Sequence, residues 1–412
     1  MNISNTKQNL KKSIFYSCCI VGGGPAGIML GYIMAKYGVE VVVMEKHKDF
    51  FRDFRGDTIH PSTLNILDEL GDLDDFLKVP HDKMTEFTMT FGDKQIALAD
   101  FKKLNIKTPF IAFTPQWNFL NFLTEKAQNL PNFNLLMATE AIDILQENGK
   151  VVGVKAISEK GVVLINSNLV VGADGRHSII RKKASLNVYN LGSPIDVLWF
   201  RLNKPDVTFK KSFANSNKGK FLILIDRTEY WQCGFITTKG NYENLKSIGI
   251  VNFQNEITSI LPELKDVVTQ LTNFEQIKNL SVTVDRLEKW YTEGLICIGD
   301  SAHAMSPIGG VGINLAIQDA VAMANVLVPI FKNSNIPTSK DLKKIQNRRM
   351  FPTKFTQGVQ LLIQNKSLKP FLTDKKKDDV PSFLKLLKWF PPLRILPTRF
   401  IGLGVRTEKI QL

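Results

Sequence analysis

Cysteine is scarce in this sequence, with four residues, Cys18, Cys19, Cys233 and Cys297, in a chain of 412. Adjacent side chains on a strand point to opposite faces, so Cys18 and Cys19 cannot easily bridge each other. The sequence has no Cys-x-x-Cys pair and no Cys/His spacing typical of a metal site. We therefore predict buried, reduced thiols, no bound metal and a cytoplasmic protein.

Internal repeats and long low-complexity tracts are absent, and acidic residues are rare at one end of the chain. From Asp341 to Leu412 there are 16 Lys/Arg and five Asp/Glu, so this segment carries +11 of the total net charge of +14. The main interpretation is a solvated helical surface. The alternative is peripheral contact with an anionic membrane or an acidic partner. The predicted partners do not include nucleic acid, and the oligomeric state cannot be read from the sequence.

One uncharged run, Ser13 to Ala35, has the composition of a signal peptide or membrane span. Its centre contains the glycine-rich segment Gly22 to Gly27, which breaks a spanning helix. The pattern instead predicts a buried strand over Ile14–Val21, a tight turn, and a helix that stops at Gly38. A second apolar strand, Val39–Met44, completes a βαβ unit.

This unit has the features of a dinucleotide site. Gly22 permits the turn, Gly24 lets the backbone approach a pyrophosphate, and Gly27 lets the helix and strand pack closely. The helix beginning at Pro25 and Ala26 points its positive end at the phosphates. Glu45, which ends the second strand, suits ribose hydroxyls and disfavours a 2′-phosphate. FAD and NAD are not distinguishable on this motif alone.

Two later motifs favour FAD. The first runs from Leu169 through Gly172-Ala173-Asp174-Gly175 to Ser178, where Asp174 is suited to binding near a helix start or to ordinary capping. In the second, Leu295 to Asn314, Asp300 ends a strand and can bind a ribityl hydroxyl. Its loop Pro307–Gly312 is almost free of bulky side chains, so it can lie flat against a planar ring. The helix that follows directs its positive end at that ring.

Together, the three motifs resemble those of the flavin-dependent aromatic hydroxylases, the p-hydroxybenzoate hydroxylase-like group of FAD monooxygenases. The resemblance covers roughly residues 14 to 345. It implies further cofactor contacts from Lys46, from Arg55 or Arg52, and from Gln116. It also places Asp57 and His60 near the flavin as catalytic candidates. The full predicted cofactor set is Gly22, Gly24, Pro25, Ala26, Gly27, Glu45, Lys46, Arg55, Gln116, Asp174, Gly299, Asp300, Pro307, Gly310, Val311, Gly312 and Asn314.

The resemblance also implies an activity. NADH or NADPH would reduce FAD, and O2 would form a flavin C4a-hydroperoxide that hydroxylates an aromatic or similar electron-rich small molecule. A reductase or dehydrogenase on the same fold, without oxygen transfer, is the alternative. A flavin halogenase is disfavoured because the Trp-x-Trp-x-Ile-Pro element of many halogenases is absent. A non-catalytic FAD- or NAD-binding module does not account for three separate motifs.

The predicted fold class is α/β, with a Rossmann-like FAD-binding domain interleaved with a mixed-sheet substrate domain. The FAD-binding domain takes 14–78, 109–182 and 285–345, and the substrate domain takes 79–108 and 183–284. A basic helical segment, 346–412, completes the chain, with an amphipathic stretch over Pro381–Phe390 and an apolar one over Ile395–Val405. The predicted apolar substrate pocket is lined by Trp199, Arg201, Tyr230, Trp231 and Phe235.

Overall fold

We analysed a computed structural model of the chain, which describes residues 14–51, 58–206, 212–227, 229–373, 380 and 382–412. The described strands, numbered along the chain, are β1 Ile14–Val21, β2 Val41–Met44, β3 Thr58–Ile59, β4 Asp82–Met84, β5 Glu86–Phe91, β6 Lys94–Asp100, β7 Ile111–Phe113, β8 Phe133–Leu136, β9 Thr139–Glu147, β10 Lys150–Ser158, β11 Gly161–Gly172, β12 Val188–Asn190, β13 Ile195–Asn203, β14 Ala214–Asn217, β15 Lys220–Asp226, β16 Tyr230–Thr238, β17 Lys278–Ser281, β18 Asp285–Leu287, β19 Tyr291–Thr292 and β20 Leu295–Cys297.

The described helices are α1 Pro25–Lys36, α2 Pro61–Glu69, α3 Leu73–Phe76, α4 Gln116–Gln128, α5 Ile179–Lys183, α6 Tyr242–Ser247, α7 Ile250–Ile260, α8 Lys265–Val268, α9 Gly312–Lys332, α10 Ser339–Ile363, α11 Lys369–Thr373, α12 Ser382–Trp389 and α13 Ile395–Gly402. Short 3-10 turns over Gly299–Ser301 and Ile308–Gly310 lie within the third motif.

The first sheet has eight strands and a parallel centre. Its order is β19-β20-β11-β1-β2-β8, and β10 and β9 continue from β11 as an antiparallel meander. β1 pairs in parallel with both β11 and β2, and β11 pairs in parallel with β20. All four residues of β2 are buried, as expected for a central strand covered on both faces.

The second sheet has seven strands in the order β17-β13-β16-β15-β14-β5-β6, and it is antiparallel except where β14 meets β5. One face packs with α13 and α12 in an apolar cluster that includes Trp199 and Phe113. The other face packs on α7 and α8 in a separate cluster that includes Phe235 and Phe253.

Helix α9 is the central helix of the first layer, where it packs against α1 and α10. The helical stretch Ile308–Lys332 is long and apolar enough to cross a membrane. Its most apolar 18-residue part has a mean hydropathy of 1.6, but 78% of that part is buried inside the protein. Its apolarity is therefore that of a core helix, like the buried interior of α1.

The predicted fold class is confirmed: an α/β sheet with a parallel centre is interleaved with a mixed sheet, and a C-terminal helical segment follows. Strand β1 and helix α1 match the predicted strand and helix closely. The apolar stretch after residue 395 packs back on the body, since α13 contacts β6. The predicted domain boundaries stay a prediction.

Candidate functional site

Four parallel strands bring the predicted nucleotide-binding residues to one edge of the sheet. β20, β11, β1 and β2 lie side by side, and their carboxyl ends lead into Gly299, Ala173, Gly22 and Glu45 respectively. The carboxyl edge of an open parallel sheet is where such folds bind ligands. Three motifs that are far apart in sequence therefore meet at a single edge.

The β1–α1 turn is built for close backbone approach. Gly22 has φ of 111°, and a Cβ there would lie 2.3 Å from the Ala173 carbonyl oxygen. A Cβ on Gly27 would lie 1.9 Å from the carbonyl oxygen of Gly22. Gly24 differs, because a Cβ there would meet nothing within 4 Å. Gly24 therefore faces open space at the start of α1, where free N–H groups and the helix dipole favour an anion.

Glu45 fixes this turn from the neighbouring strand. Its Oε2 accepts a hydrogen bond of 3.0 Å from the Gly23 amide, and its Oε1 accepts one of 3.1 Å from the His47 amide. Each carboxylate oxygen has a second lone pair, so the side chain can still accept ribose hydroxyls. Lys46, beside it, is exposed.

Asp300 presents an available carboxylate at the same edge. Among the described residues its nearest charged partner is Arg176, at 3.9 Å, and about a third of each side chain is exposed. The Gly299 amide just before it donates to Asp319 Oδ2 at 3.1 Å. The buried Asp319 thus holds the backbone of this turn, while the Asp300 side chain is partly exposed to solvent.

Asp174 has its carboxylate directed at the helix that follows. Oδ1 accepts from the Ser178 hydroxyl at 2.6 Å and Oδ2 accepts from the Ile180 amide at 3.1 Å. Burial raises the pKa of Asp174 and outweighs these hydrogen bonds. Capping is thus its visible role, and a contact with the cofactor stays a prediction.

The glycine loop at the start of α9 is fastened to the β3–α2 segment. Asn314 Oδ1 accepts from the His60 amide at 2.9 Å and from the Thr63 hydroxyl at 2.7 Å, while its Nδ2 donates to the Thr58 carbonyl at 3.2 Å. Gly310 has φ of 64°, and a Cβ there would lie 2.7 Å from Thr58 Oγ1. Asn314 therefore acts as a clamp that positions the loop, and only glycine fits at 310.

His60 lies directly under this loop and is fully buried. Its Nδ1 is 2.6 Å from the Ile401 carbonyl oxygen, so Nδ1 carries the proton and donates. Its Nε2 is then an acceptor, and it is buried with no hydrogen-bond partner in the part of the chain that the structure describes. Burial, partly offset by the Ile401 hydrogen bond, lowers the pKa of His60 to about 4. The imidazole is neutral at ordinary pH.

We expect His60 to make stability depend on pH. An unfolded histidine has a pKa of about 6.5, so between pH 6.5 and 4 the unfolded chain binds a proton that the folded chain does not. Stability from this group is therefore complete above pH 6.5 and falls by about 1.4 kcal/mol per pH unit below it, down to about pH 4. Urea unfolding of wild type and His60→Asn from pH 7 to 5 measures this slope. Parallel pH profiles for the two proteins would contradict the assignment.

A buried ion network supports the site from the C-terminal side. Asp319 on α9 contacts His303 Nε2 at 2.5 Å and accepts from Arg349 Nε at 2.8 Å. Arg349 also reaches Glu408 Oε1 at 3.4 Å. Burial alone would raise the pKa of Asp319, but His303 and Arg349 outweigh it and hold that pKa below its usual range. Asp319 is thus a carboxylate that anchors the Gly299 turn.

The C-terminal contacts were missed by the sequence reasoning. Ile401 meets His60 across 341 positions, and Glu408 meets Arg349 across 59. A small cavity of about 20 Å³, room for about one water molecule, lies between the start of α9 and residues 400–405. No motif or spacing marks these residues, since a backbone carbonyl and a single glutamate carry no local signal.

The other predicted cofactor residues lie outside the turns described above. Arg52, Arg55 and Asp57 lie outside the described residues. Gln116 opens α4, and its half-buried side chain has no hydrogen-bond partner among the described residues. Pro307 and Val311 lie in the loop between the Gly299 turn and α9, and Gly312 is the first residue of α9.

The predicted substrate pocket is not assembled as expected. Trp199 packs in the apolar cluster on the α13 side of the seven-stranded sheet, whereas Phe235 and Trp231 pack on the α7 side. Arg201 is exposed and lies over the Tyr230 ring at 4.9 Å. The β13–β16 register explains why these side chains are separated. Phe235 pairs with Leu198, so both point to the same face of the sheet, and Trp199, the next residue on β13, points to the opposite face. The five side chains therefore do not line one pocket.

The residues present fit a bound FAD. Gly24 leaves open space at a helix N-terminus for a pyrophosphate, and Asp300 has an available carboxylate for hydroxyl groups. His60 Nε2 is an unpartnered acceptor beneath a glycine loop suited to a flat ring. Among the described residues no cluster could hold a metal ion.

Comparison with known proteins identifies the family to which this chain belongs. The family model described as "FAD binding domain" matches residues 16–337. A 6-methylpretetramide 4-monooxygenase from Streptomyces rimosus is 30% identical over 346 residues, covering 84% of this chain and 82% of the relative. A para-nitrophenol 4-monooxygenase from Pseudomonas sp. (strain WBC-3) is 24% identical, covering 81% and 82%. The structure of p-nitrophenol 4-monooxygenase PnpA from Pseudomonas putida DLL-E4 has a TM-score of 0.73 at 19% identity, covering 96% and 100%.

The chain therefore belongs to the FAD-binding family of flavin-dependent aromatic hydroxylases. It is a flavoprotein oxidoreductase, an FAD-dependent monooxygenase that acts on a small molecule with NADH or NADPH as the reductant. The alternative of a reductase without oxygen transfer is not favoured.

Proposed function

We propose that this enzyme hydroxylates a phenolic aromatic ring. One aromatic C–H bond becomes C–OH, O2 supplies that oxygen atom, and its second atom leaves as water. NADH or NADPH supplies the two electrons and, with one proton from solvent, balances the reaction. The observation that carries this proposal is the convergence of all three motifs at one sheet edge beside a glycine loop. The names of the two monooxygenase relatives support an aromatic substrate.

The predicted cofactor residues are proposed to hold FAD in two halves. Gly22, Gly24 and the start of α1 at Pro25 and Ala26 would receive the pyrophosphate, and Glu45 the adenosine ribose. The flavin half would be held by the remaining predicted residues of the third motif, with Asp300 on the ribityl chain. These are Gly299, Asp300, Pro307, Gly310, Val311, Gly312 and Asn314.

FAD, when bound, supplies the hydride acceptor and the carrier of activated oxygen. The protein's task is to orient the ring and keep water out. Asn314 holds the loop against the β3–α2 segment, and Asp319 holds the Gly299 turn. His60, neutral and with its tautomer set by Ile401, offers Nε2 as a hydrogen-bond acceptor. We propose His60 as a positioning group at the flavin; Asp57 remains a proposed neighbour.

The substrate is proposed to bind on the α13 side of the seven-stranded sheet. Trp199 faces that side, and its indole Nε1 is a buried donor with no partner among the residues that the structure describes. Aromatic side chains surround this region, including Phe87 and Phe213, whose rings are 4.5 Å apart. An apolar, aromatic face with few polar groups suits a planar ring. The predicted domain division, with 79–108 and 183–284 as the substrate domain, is proposed on the same basis.

A cytoplasmic location is proposed, together with peripheral membrane contact of the basic C-terminal segment. The four cysteines support the cytoplasmic location, because all of them are buried thiols that form no disulfide bond.

Oxygen-isotope labelling tests the proposed function. The FAD-loaded protein is incubated with NADH or NADPH under ¹⁸O2 and a phenol panel that includes para-nitrophenol and 6-methylpretetramide. We expect substrate-dependent oxidation of the reductant and one ¹⁸O atom in the product, as measured by mass spectrometry. Reductant oxidation that releases only hydrogen peroxide with every phenol would overturn the proposal of a phenolic substrate.

A further inference from the structure

The C-terminal segment carries a row of large apolar side chains in solvent. Trp389 is 71% exposed and Leu396 is 65% exposed. They belong to what we term the C-terminal apolar face, the exposed residues Leu386, Trp389, Phe390, Leu393 and Leu396. Scattered exposed apolar residues are ordinary, but a contiguous group marks an interaction surface.

The fold holds these residues outward. On α12, Leu384 is buried in the apolar cluster of the seven-stranded sheet, so the opposite side of the helix faces away from the protein. Leu386 and Trp389 are three positions apart on α12, so they lie on one side of that helix, and Phe390 and Leu393 follow in the turn after it. Arg394 Nε donates to the Leu387 carbonyl at 3.0 Å and fixes the turn after α12.

The face continues onto neighbouring helices. Leu396 and Phe400 are one turn apart on α13, so they share a side. The Phe400 ring lies 6.2 Å from that of Phe355 on α10, which lies 6.0 Å from that of Phe351. Phe351 and Phe355 are both nearly half exposed. The apolar surface therefore spans three helices.

The chain segments that carry this face are mostly basic, with Asp374, Asp378 and Asp379 between them in sequence and Asp100 of β6 beside α13. Neither 342–373 nor 380–407 contains an Asp or Glu, while together they contain twelve Lys or Arg. Lys388, Arg399 and Lys354 are exposed among the apolar side chains. Lysine, arginine, tryptophan and leucine on one amphipathic surface are the composition of helices that lie in the headgroup region of anionic membranes.

We propose that the C-terminal apolar face binds the surface of an anionic phospholipid membrane. Trp389 and Phe390 enter the headgroup region, and the surrounding basic side chains contact lipid phosphates. Helix α12 has eight residues, far fewer than the roughly 20 needed to span a bilayer, so the contact is peripheral. Ile401 of α13 binds His60, so the membrane would lie one helix away from the flavin site. This deepens the proposed membrane contact, and it does not depend on the hydroxylation reaction.

Vesicle co-sedimentation of the full-length FAD-loaded protein tests this. Phosphatidylcholine vesicles are compared with vesicles in which roughly 30% of the lipid is phosphatidylglycerol, at low and high salt. We expect at least about tenfold tighter binding to the anionic vesicles and weakening by salt. The double variant Trp389→Ser with Phe390→Ser is expected to lose about tenfold or more in vesicle affinity.

The control is Val251→Ser, which removes a 61% exposed apolar residue from α7, on the other face of the seven-stranded sheet. Its vesicle binding should equal that of wild type. Absent or charge-independent vesicle binding, or equal binding by the double variant, would overturn the proposal. So would chromatography in which the double variant turns a dimer into a monomer while wild type ignores vesicles, since that assigns the face to a second copy. Reductant oxidation measured without vesicles reports separately on the proposed function.

Discussion

Arg349→Met is expected to lower the free energy of unfolding by about 3–5 kcal/mol, because it leaves two carboxylates without their shared cation in the interior. The Arg349 side chain is fully buried and links Asp319 on α9 to Glu408 near the C-terminus. Asp319 also receives the Gly299 amide. The variant should therefore lose bound FAD as well, and urea unfolding with a measurement of flavin content per protein checks both effects.

Arg348→Met is the matched control for this prediction. Arg348 is the neighbouring arginine and also contacts Glu408, but over a third of its side chain is exposed. An exposed partner contributes about 1 kcal/mol or less. If the two variants destabilised the protein equally, the buried network would not be the cause. If Arg349→Met kept full flavin content, the link from Asp319 to the Gly299 turn would be contradicted.

Gly24→Ala is expected to weaken FAD binding by about a hundredfold, or about 2.7 kcal/mol, with little change in the stability of the apoprotein. The added Cβ meets no protein atom within 4 Å, so the fold tolerates it. Gly24 has φ of −74°, which any residue adopts. The methyl group would instead occupy space that we assign to the pyrophosphate. Flavin fluorescence titration of the apoprotein measures the affinity.

Gly358→Ala provides the comparison for Gly24, since a Cβ at 358 also meets nothing within 4 Å and the residue lies on α10. Its FAD affinity should match wild type. Wild-type affinity in Gly24→Ala would remove Gly24 from the proposed cofactor contacts. Loss of stability in the Gly24→Ala apoprotein would instead indicate a structural role for the position.

Local patterns predicted the strands and helix of the first βαβ unit well. The βαβ unit is short, and each of its glycines has a reason that acts within the unit, such as the 1.9 Å approach at Gly27. The class of the protein followed from three ordered motifs. These features are readable because neighbours in sequence are neighbours in space.

The substrate pocket and the C-terminal contacts were not readable for the opposite reason. Whether Phe235 shares a face with Trp199 depends on the register of β13 against β16, and a shift of one residue reverses it. The network of Asp319, Arg349 and Glu408 joins α9, α10 and the C-terminal segment. Such contacts depend on the completed packing, which a single sequence does not display.

The position of Glu408 also bears on how the enzyme is made. Proteins emerge from the ribosome amino end first, and their parts fold as they become available. The turn from Gly22 to Gly27 is synthesised well before Ile401 and Glu408, which lie far downstream in the chain. The dinucleotide half of the site can therefore form early, but the support beneath the flavin loop cannot. Ribosome-bound chains halted before residue 401 should consequently be unable to retain flavin, because they lack the support that Ile401 and Glu408 provide.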